Sequence, residues 1–200
     1  MNNDLTPDWT PGAGKIYTWY AMDKNGRIGV FVNNCWGDLP RCILLSEDAS
    51  DMLINISEYL YEESQVFTSY PEDKSGGYLV DLFPAWIGPR TKEKVKESHD
   101  EAFAKNRLSS EANFAINKGV FIYFAVEGNY PGEDYPVGYD GESEMGDYYR
   151  YLVPTVYGSI DDFPDELKSG IAVSDSIDFT VDRLIPSKSI NQYFKTMYGQ

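Results

Sequence analysis

The sequence predicts an α+β fold: a single domain with a mainly antiparallel β-sheet and several packed helices. Segments with strand-like alternation of apolar residues occur near both ends of the chain and in its middle. Segments with helical spacing lie between them, but the two types do not alternate in the regular order of a parallel βαβ sheet. With 200 residues, the chain can bury a substantial core without disulfides or metals.

The clearest predicted element is a β-hairpin in the N-terminal region, which follows a polar opening segment. Residues 1–14 are rich in Pro, Gly, Asn and Thr, which predicts a flexible N-terminal arm or a strapped-down edge segment. Residues 15–200 then form the domain. Apolar alternation on both sides of the turn signal Asp23-Lys24-Asn25-Gly26 predicts a β-hairpin over Ile16–Val32.

Helical periodicity and terminal residues predict five helices. The first has Ser46 or Ser50 as a candidate N-cap, and the third is followed by Gly119, a residue type favoured just beyond a helix. The predicted helices cover Glu47–Glu63, Thr91–Lys105, Ser110–Asn117, Asp161–Ser169 and Ser187–Tyr198.

Four further segments are predicted to be strands. Val120–Val126 is the most apolar run and is rich in β-branched and aromatic residues, so it is expected to be a central strand. The other three are Tyr78–Phe83, Tyr148–Val156 and Ile177–Leu184. Gly128–Gly146 is predicted to be a long loop.

The charge balance argues against nucleic acid and anionic membranes as partners. The chain has 32 acidic and 17 basic residues, a formal net charge of −15 at pH 7. Such a protein repels phosphate, so binding to nucleic acid or to an anionic membrane is disfavoured. The start of the chain has neither a basic region nor an apolar run, and there are only two cysteines. A cytoplasmic location is therefore expected.

Residues with catalytic potential are few. His99, the only histidine, lies on the apolar stripe of a predicted helix, where a packed, hydrogen-bonded histidine is expected. Cys35 and Cys42 have no second pair, so structural zinc is not indicated. Gly12-Ala13-Gly14-Lys15 lacks the first glycine and the Ser or Thr of a phosphate loop. We expect no enzymatic activity, no metal and no cofactor.

An acidic region provides the main functional signal. Between Gly119 and Leu167 there are eleven acidic side chains and one basic one, Arg150, interspersed with tyrosines. Such a loop is long enough to suggest a function, although a merely solvated loop is the alternative. Tyrosines are frequent anchors at protein interfaces. The expected partner-binding residues are Tyr130, Glu133, Asp134, Tyr135, Tyr139, Asp140, Glu142, Glu144 and Asp147.

The hairpin also resembles a known group of proteins. The segment Tyr17–Phe31, YTWYAMDKNGRIGVF, followed by Gly37-Asp38-Leu39-Pro40, resembles the opening of immunity proteins of bacterial polymorphic-toxin and contact-dependent growth inhibition systems. The resemblance covers about forty residues. It implies a non-enzymatic inhibitor that binds a cognate toxin domain, often a basic nuclease, and blocks its active site or its access to substrate.

Two alternatives differ from this hypothesis. An acidic, nucleic-acid-mimicking inhibitor would space its carboxylates like phosphates along one face. A carbohydrate-active hydrolase would need a cleft holding two carboxylates with opposed pKa shifts. The sequence itself favours an acidic protein that binds a positively charged protein through its acidic region.

Overall fold

The computed structural model describes residues 5–71, 73–87, 91–128 and 130–200, which form one α+β domain. Within them, the strands are β1 (Thr18–Met22), β2 (Ile28–Val32), β3 (Tyr78–Val80), β4 (Phe83–Pro84), β5 (Phe121–Ala125), β6 (Pro136–Val137), β7 (Tyr148–Pro154), β8 (Ala172–Val173), β9 (Leu184–Ile185) and β10 (Thr196–Met197). The helices are α1 (Arg41–Leu44), α2 (Ala49–Leu60), α3 (Lys92–Lys105), α4 (Glu111–Asn113), α5 (Asp165–Lys168) and α6 (Ile190–Tyr193). Among these described helices, none has both the length and the apolarity needed to cross a bilayer.

Eight strands form one mixed sheet in the order β10-β8-β1-β2-β5-β7-β3, with β9 also paired to β7. The remaining two strands, β4 and β6, pair with each other. Pairing is antiparallel except between β1 and β8 and between β2 and β5. The predicted mainly antiparallel sheet is confirmed. The parallel β2–β5 pair is compatible with the long connection between these strands, which contains α1 to α4.

One face of the sheet is aromatic. Trp19, Phe31 and Tyr123 occupy paired positions on β1, β2 and β5. Their rings stack, with centroids 4.2 Å apart for Trp19 and Phe31 and 4.7 Å apart for Phe31 and Tyr123. Phe179 and Phe194 cover this row from the C-terminal part of the chain. Offset aromatic contacts of this kind stabilise a core beyond their area burial.

Helices cover the other face. Helix α2 packs on β1, and the Ser57 side chain of α2 hydrogen-bonds to the buried Tyr20. Helix α3 packs on β3 and places His99 Nε2 2.7 Å from Tyr151 Oη on β7. The predicted packed, hydrogen-bonded histidine is therefore confirmed. Burial lowers the pKa of His99, since the charged imidazolium is poorly solvated there.

Most of the strongly patterned elements are confirmed, with differences at their ends. The hairpin pairs from Thr18 with Val32 to Met22 with Ile28. The predicted central strand, β5, lies between β2 and β7. Helix α2 has Asp48 at its N-cap without a side-chain capping bond, so the prediction of a Ser46 or Ser50 cap is wrong.

The predicted strand over Ile177–Leu184 is wrong, because aspartates there form turns instead. The Asp178 amide donates to Asp182 Oδ2 at 2.7 Å. The Thr180 amide donates to Asp178 Oδ1 at 3.0 Å. Carboxylates that bind nearby amides compete with a strand ladder. Only β9, at the end of this segment, joins the sheet.

The predicted closing helix over Ser187–Tyr198 is largely wrong. A 3₁₀ turn over Ser187–Ser189 leads into α6, which ends at Tyr193. Phe194 then packs edge-on against Trp19, with ring centroids 5.3 Å apart. Burial of this ring in the core takes the chain out of the helix and into β10, which pairs with β8.

The N-terminal segment is attached to the domain where it is described. Leu5 and Trp9 are buried in the core, and the Trp9 ring packs edge-on against Tyr17 with centroids 5.6 Å apart. Residues 5–9 therefore match the strapped-down alternative rather than a flexible arm. Residues 1–4 lie outside the described part of the chain.

We expect Gly119→Ala to destabilise the fold strongly. Gly119 has φ +67°, and an added Cβ would lie 2.3 Å from the Gly158 nitrogen and 2.6 Å from the Val156 oxygen. These are backbone atoms that cannot rotate away. Urea denaturation should show a loss above about 3 kcal/mol, or no folded protein.

A matched control is Gly26→Ala in the hairpin turn, where φ is +80° but no atom lies within 4 Å of the added Cβ. Its free energy of unfolding should fall by only about 1 kcal/mol, the cost of placing a residue with a Cβ at positive φ. Equal losses in the two variants would contradict a steric role for the Gly119 site.

Candidate functional site

The acidic loop, defined here as residues 127–147, connects β5 to β7 and is fixed at several points. In its middle, β6 pairs with β4 through Phe83 with Val137 and Pro84 with Pro136. At its end, the Gly146 amide donates to the Val126 oxygen at 2.8 Å. These bonds hold the loop against the domain, and residue 129 lies outside the described part of it.

A partly buried ion cluster lies beside the loop. Asp81, which follows β3, accepts from Arg150 Nε at 2.8 Å and from Arg183 Nη2 at 2.7 Å. Arg183 Nη2 also donates to the Gly138 oxygen of the acidic loop at 3.1 Å. Burial raises the pKa of Asp81, but hydrogen bonds and charge from both arginines outweigh it and hold the pKa below its usual value.

Two of the acids predicted to bind a partner instead point into the protein. Asp147 is only 7% exposed; it accepts from the Ser187 amide at 2.9 Å and from the Glu144 amide at 2.8 Å. Asp134 is 4% exposed and accepts from the Trp86 amide at 3.2 Å. Asp147 therefore closes the loop, and Asp134 lies at the bottom of a cleft described below. Neither is an exposed acid, and Asp147, whose two oxygens both bind backbone amides, is corrected from the predicted partner-binding set.

The other predicted residues remain at the surface to different degrees. Tyr130 and Tyr135 are 74% and 56% exposed, whereas Tyr139 is half-buried and packs on the core. Glu144 forms an ion pair with Lys188. The exposed acids of the loop are Glu133, Asp140, Glu142 and Glu144.

Trp86 joins this surface and was missed by the sequence analysis. It lies in a 3₁₀ turn over Ala85–Ile87 and is 61% exposed. The Ala85 amide donates to the Tyr135 oxygen at 3.1 Å, so the turn is fastened to the acidic loop. A tryptophan beside Pro84 in a turn-rich segment was the available signal. We call the exposed set the acidic face: Trp86, Tyr130, Glu133, Tyr135, Asp140, Glu142 and Glu144.

A cleft of about 430 Å³ opens between Trp36 and Trp86. Glu127, Glu133 and Asp134 contribute carboxylates to its lining. The Trp86 indole, whose only polar group is its N–H donor, hydrogen-bonds to the Glu127 carboxylate. The cleft therefore combines two indole rings with three acidic side chains.

The wall that carries Trp36 is a tight turn after β2. Its backbone bends through left-handed conformations at Asn34 and Cys35, with φ of 43° and 69°. The Trp36 amide donates to the Asn33 oxygen at 2.9 Å, and Asn34 Nδ2 donates to the Ala125 oxygen at 2.9 Å. Strained backbone held by such bonds is common at functional sites.

The two inner carboxyl groups of the cleft have the same electrostatic character. Burial raises the pKa of Glu127, and the nearby Asp134 raises it further. Burial also raises the pKa of Asp134. A pair of glycosidase carboxyls is expected to have opposed shifts. The two carboxyls therefore lack the opposed shifts expected of a glycosidase acid–base pair.

Both cysteines are free thiols. Cys35 lines the cleft next to Trp36, whereas Cys42 lies outside its lining, and burial raises the pKa of Cys42 to about 11. Among the residues with described positions, no three His, Cys, Asp or Glu side chains form a group able to hold a metal ion. Comparison of the chain with protein-family models, curated proteins and solved structures gives no match.

The loop-closing role of Asp147 predicts a stability effect. Asp147→Asn replaces one acceptor oxygen by an NH₂ group facing a backbone amide. We expect urea denaturation to show a loss of about 2 kcal/mol in the free energy of unfolding. Glu142→Gln, at an exposed position of the same loop, should stay within about 0.5 kcal/mol of the wild type. Similar effects of both changes would refute this division of roles.

The ion cluster predicts a particular response to acid. Because the folded pKa of Asp81 lies below the ordinary value of about 3.9, the native state keeps this charge where the unfolded chain binds a proton. The resulting stabilisation is present above about pH 4 and is lost as pH falls through the folded pKa. The free energy of unfolding should therefore fall less steeply below about pH 4 in Asp81→Asn than in the wild type. Identical slopes in urea titrations would contradict the prediction.

Proposed function

We propose that this protein is a cytoplasmic, non-enzymatic immunity protein that binds and neutralises a cognate, basic toxin domain through the acidic face. The observation that carries the proposal is the arrangement of that face. Tyr130 and Tyr135 project from a loop whose exposed charged residues are acids, and Trp86 is exposed on the turn fastened to that loop. The resemblance of the hairpin to immunity proteins adds the biological setting. Binding would block the active site of the toxin or its access to substrate.

Charge supplies the long-range part of this recognition. The acidic loop contains seven acids and no basic residue, in a chain of net charge −15. An acidic surface attracts a basic partner during diffusion and raises the association rate. Carboxylates also repel phosphate, which makes nucleic acid itself an unfavourable ligand.

Aromatic side chains supply the short-range contacts of this recognition. Interfaces are typically dominated by a few residues, with Trp and Tyr over-represented among them. These rings bring large contact area with only two rotatable side-chain bonds, so little entropy is lost on binding. Trp86 suits this role because its main-chain amide and its indole are already bonded to Asp134 and Glu127.

The test is complex formation with the C-terminal domain encoded by the gene immediately upstream. We expect the two chains to co-purify and the acidic chain to protect cells that express the domain. A variant with Glu133→Gln, Asp140→Asn, Glu142→Gln and Glu144→Gln should associate at least about tenfold more slowly at low salt. Surface-binding kinetics at low and physiological salt would measure this loss.

A matched control removes four exposed acids from α2, α3 and α5: Asp51→Asn, Glu97→Gln, Glu101→Gln and Glu166→Gln. This variant has the same net charge as the test variant and should associate nearly as fast as the wild type. An equal loss in both variants would refute the acidic face as the interface. Absence of any complex or protection would refute the proposed function.

A further inference from the structure

The cleft beside the acidic face has an unusual combination of groups. Trp36 and Trp86 line it together with three acidic residues, Glu127, Glu133 and Asp134. No lysine or arginine contributes to its lining among the residues the structure describes. Burial raises the pKa of both Glu127 and Asp134, as expected where buried carboxylates lack a positive neighbour.

Asp134 contributes a buried acceptor atom that has no hydrogen-bond partner. Its side chain is 4% exposed, and Oδ2 accepts no hydrogen bond within the described chain. Backbone amides of Ala85, Trp86, Glu127 and Tyr135 lie close enough to the carboxyl to lower its pKa, and the Trp86 amide donates to Oδ1 at 3.2 Å. An unpaired buried acceptor costs about 1–3 kcal/mol. A donor that reached Oδ2 from the cleft, after a small shift of the groups covering it, would offset this cost.

We propose that the cleft receives the guanidinium group of an arginine side chain from the toxin partner. This inference rests on the proposed function and specifies the chemistry recognised by the acidic face. The planar guanidinium stacks on aromatic rings and donates two parallel hydrogen bonds to a carboxylate. Trp36 and Trp86 supply the rings, and Asp134 and Glu127 supply the acceptors.

A guanidinium fits this cleft better than other ligands. A lysine ammonium is a strongly hydrated point charge and gains less from two flanking indoles. A sugar could stack on the indoles but would leave the carboxylates without a counter-charge. A phosphate would be repelled. The volume of about 430 Å³ lies within the usual range for ligand pockets, roughly 300–1,000 Å³.

The cleft can be tested without the toxin. Purified protein is titrated with N-acetyl-L-arginine amide while tryptophan fluorescence and the indole N–H signals in NMR spectra are recorded. We expect saturable binding with a dissociation constant in the millimolar range, as for a ligand of few contacts. N-acetyl-L-citrulline amide, a neutral analogue of similar shape, should bind at least about tenfold more weakly. Equal binding of both compounds, or no saturation with arginine amide, would overturn the proposal.

Variants locate the binding in the cleft. Glu127→Gln keeps an acceptor for the Trp86 indole but removes a charge, and should weaken arginine amide binding at least about fivefold. Asp134→Asn, once thermal unfolding has shown that the variant is folded, should also weaken arginine amide binding at least about fivefold. Glu142→Gln, on the acidic face but outside the cleft lining, should bind like the wild type. Unchanged binding in folded Glu127→Gln protein would overturn the assignment.

Failure of this inference is distinguishable from failure of the proposed function. If the toxin complex is weakened by the four-acid variant of the acidic face but not by Glu127→Gln, the protein is an inhibitor and its cleft is not the arginine site. If neither variant forms a weaker complex, the interface itself is wrong. Loss of toxin affinity in both variants, with arginine amide binding lost in Glu127→Gln and kept in Glu142→Gln, which lies outside the cleft lining, supports both proposals.

Discussion

The acidic face depends on a partly buried ion contact of Asp81 with Arg150 and Arg183, which ties the acidic loop to the sheet. A loop with seven acids and no base tends to move away from an acidic domain. Arg150, the one base between Gly119 and Leu167, lies inside the protein, where its Nη1 donates to the Phe179 oxygen at 2.8 Å. Arg183 extends the same cluster to the Gly138 oxygen of the loop. Arg183 thus holds the loop through a main-chain oxygen rather than through one of its carboxylates, and Glu144 pairs with Lys188.

The acids of the loop consequently divide into two functions. Asp147 and Asp134 accept main-chain hydrogen bonds and fix the ends and the cleft side of the loop. Glu133, Asp140 and Glu142 remain exposed. Acidic composition therefore overstates the charge available to a partner, because some carboxylates act as acceptors for backbone amides. It also explains how a charged loop can be ordered: each inward acid satisfies amides that would otherwise lack partners.

The sequence predicts best those features that depend on neighbouring residues. The Ile16–Val32 hairpin follows from alternation and a local turn, and both long helices follow from periodicity. The cleft joins Trp36, Trp86 and Asp134, which are distant in the chain, so no local pattern indicates it. The burial of Asp147 depends on the amide of Ser187, forty residues away. The Ile177–Leu184 segment shows that alternation fails when aspartate side chains capture the amides that a strand would use.

Preorganisation links these structural observations to recognition. A mobile acidic loop would steer a basic partner equally well, because long-range attraction depends little on the positions of individual atoms. It would, however, lose conformational entropy when its tyrosines and carboxylates became ordered on binding. Here the β4–β6 pair and the Ala85–Tyr135 hydrogen bond order the loop during folding. The binding energy of the aromatic side chains is then available to hold the partner, which favours slow dissociation as well as fast association.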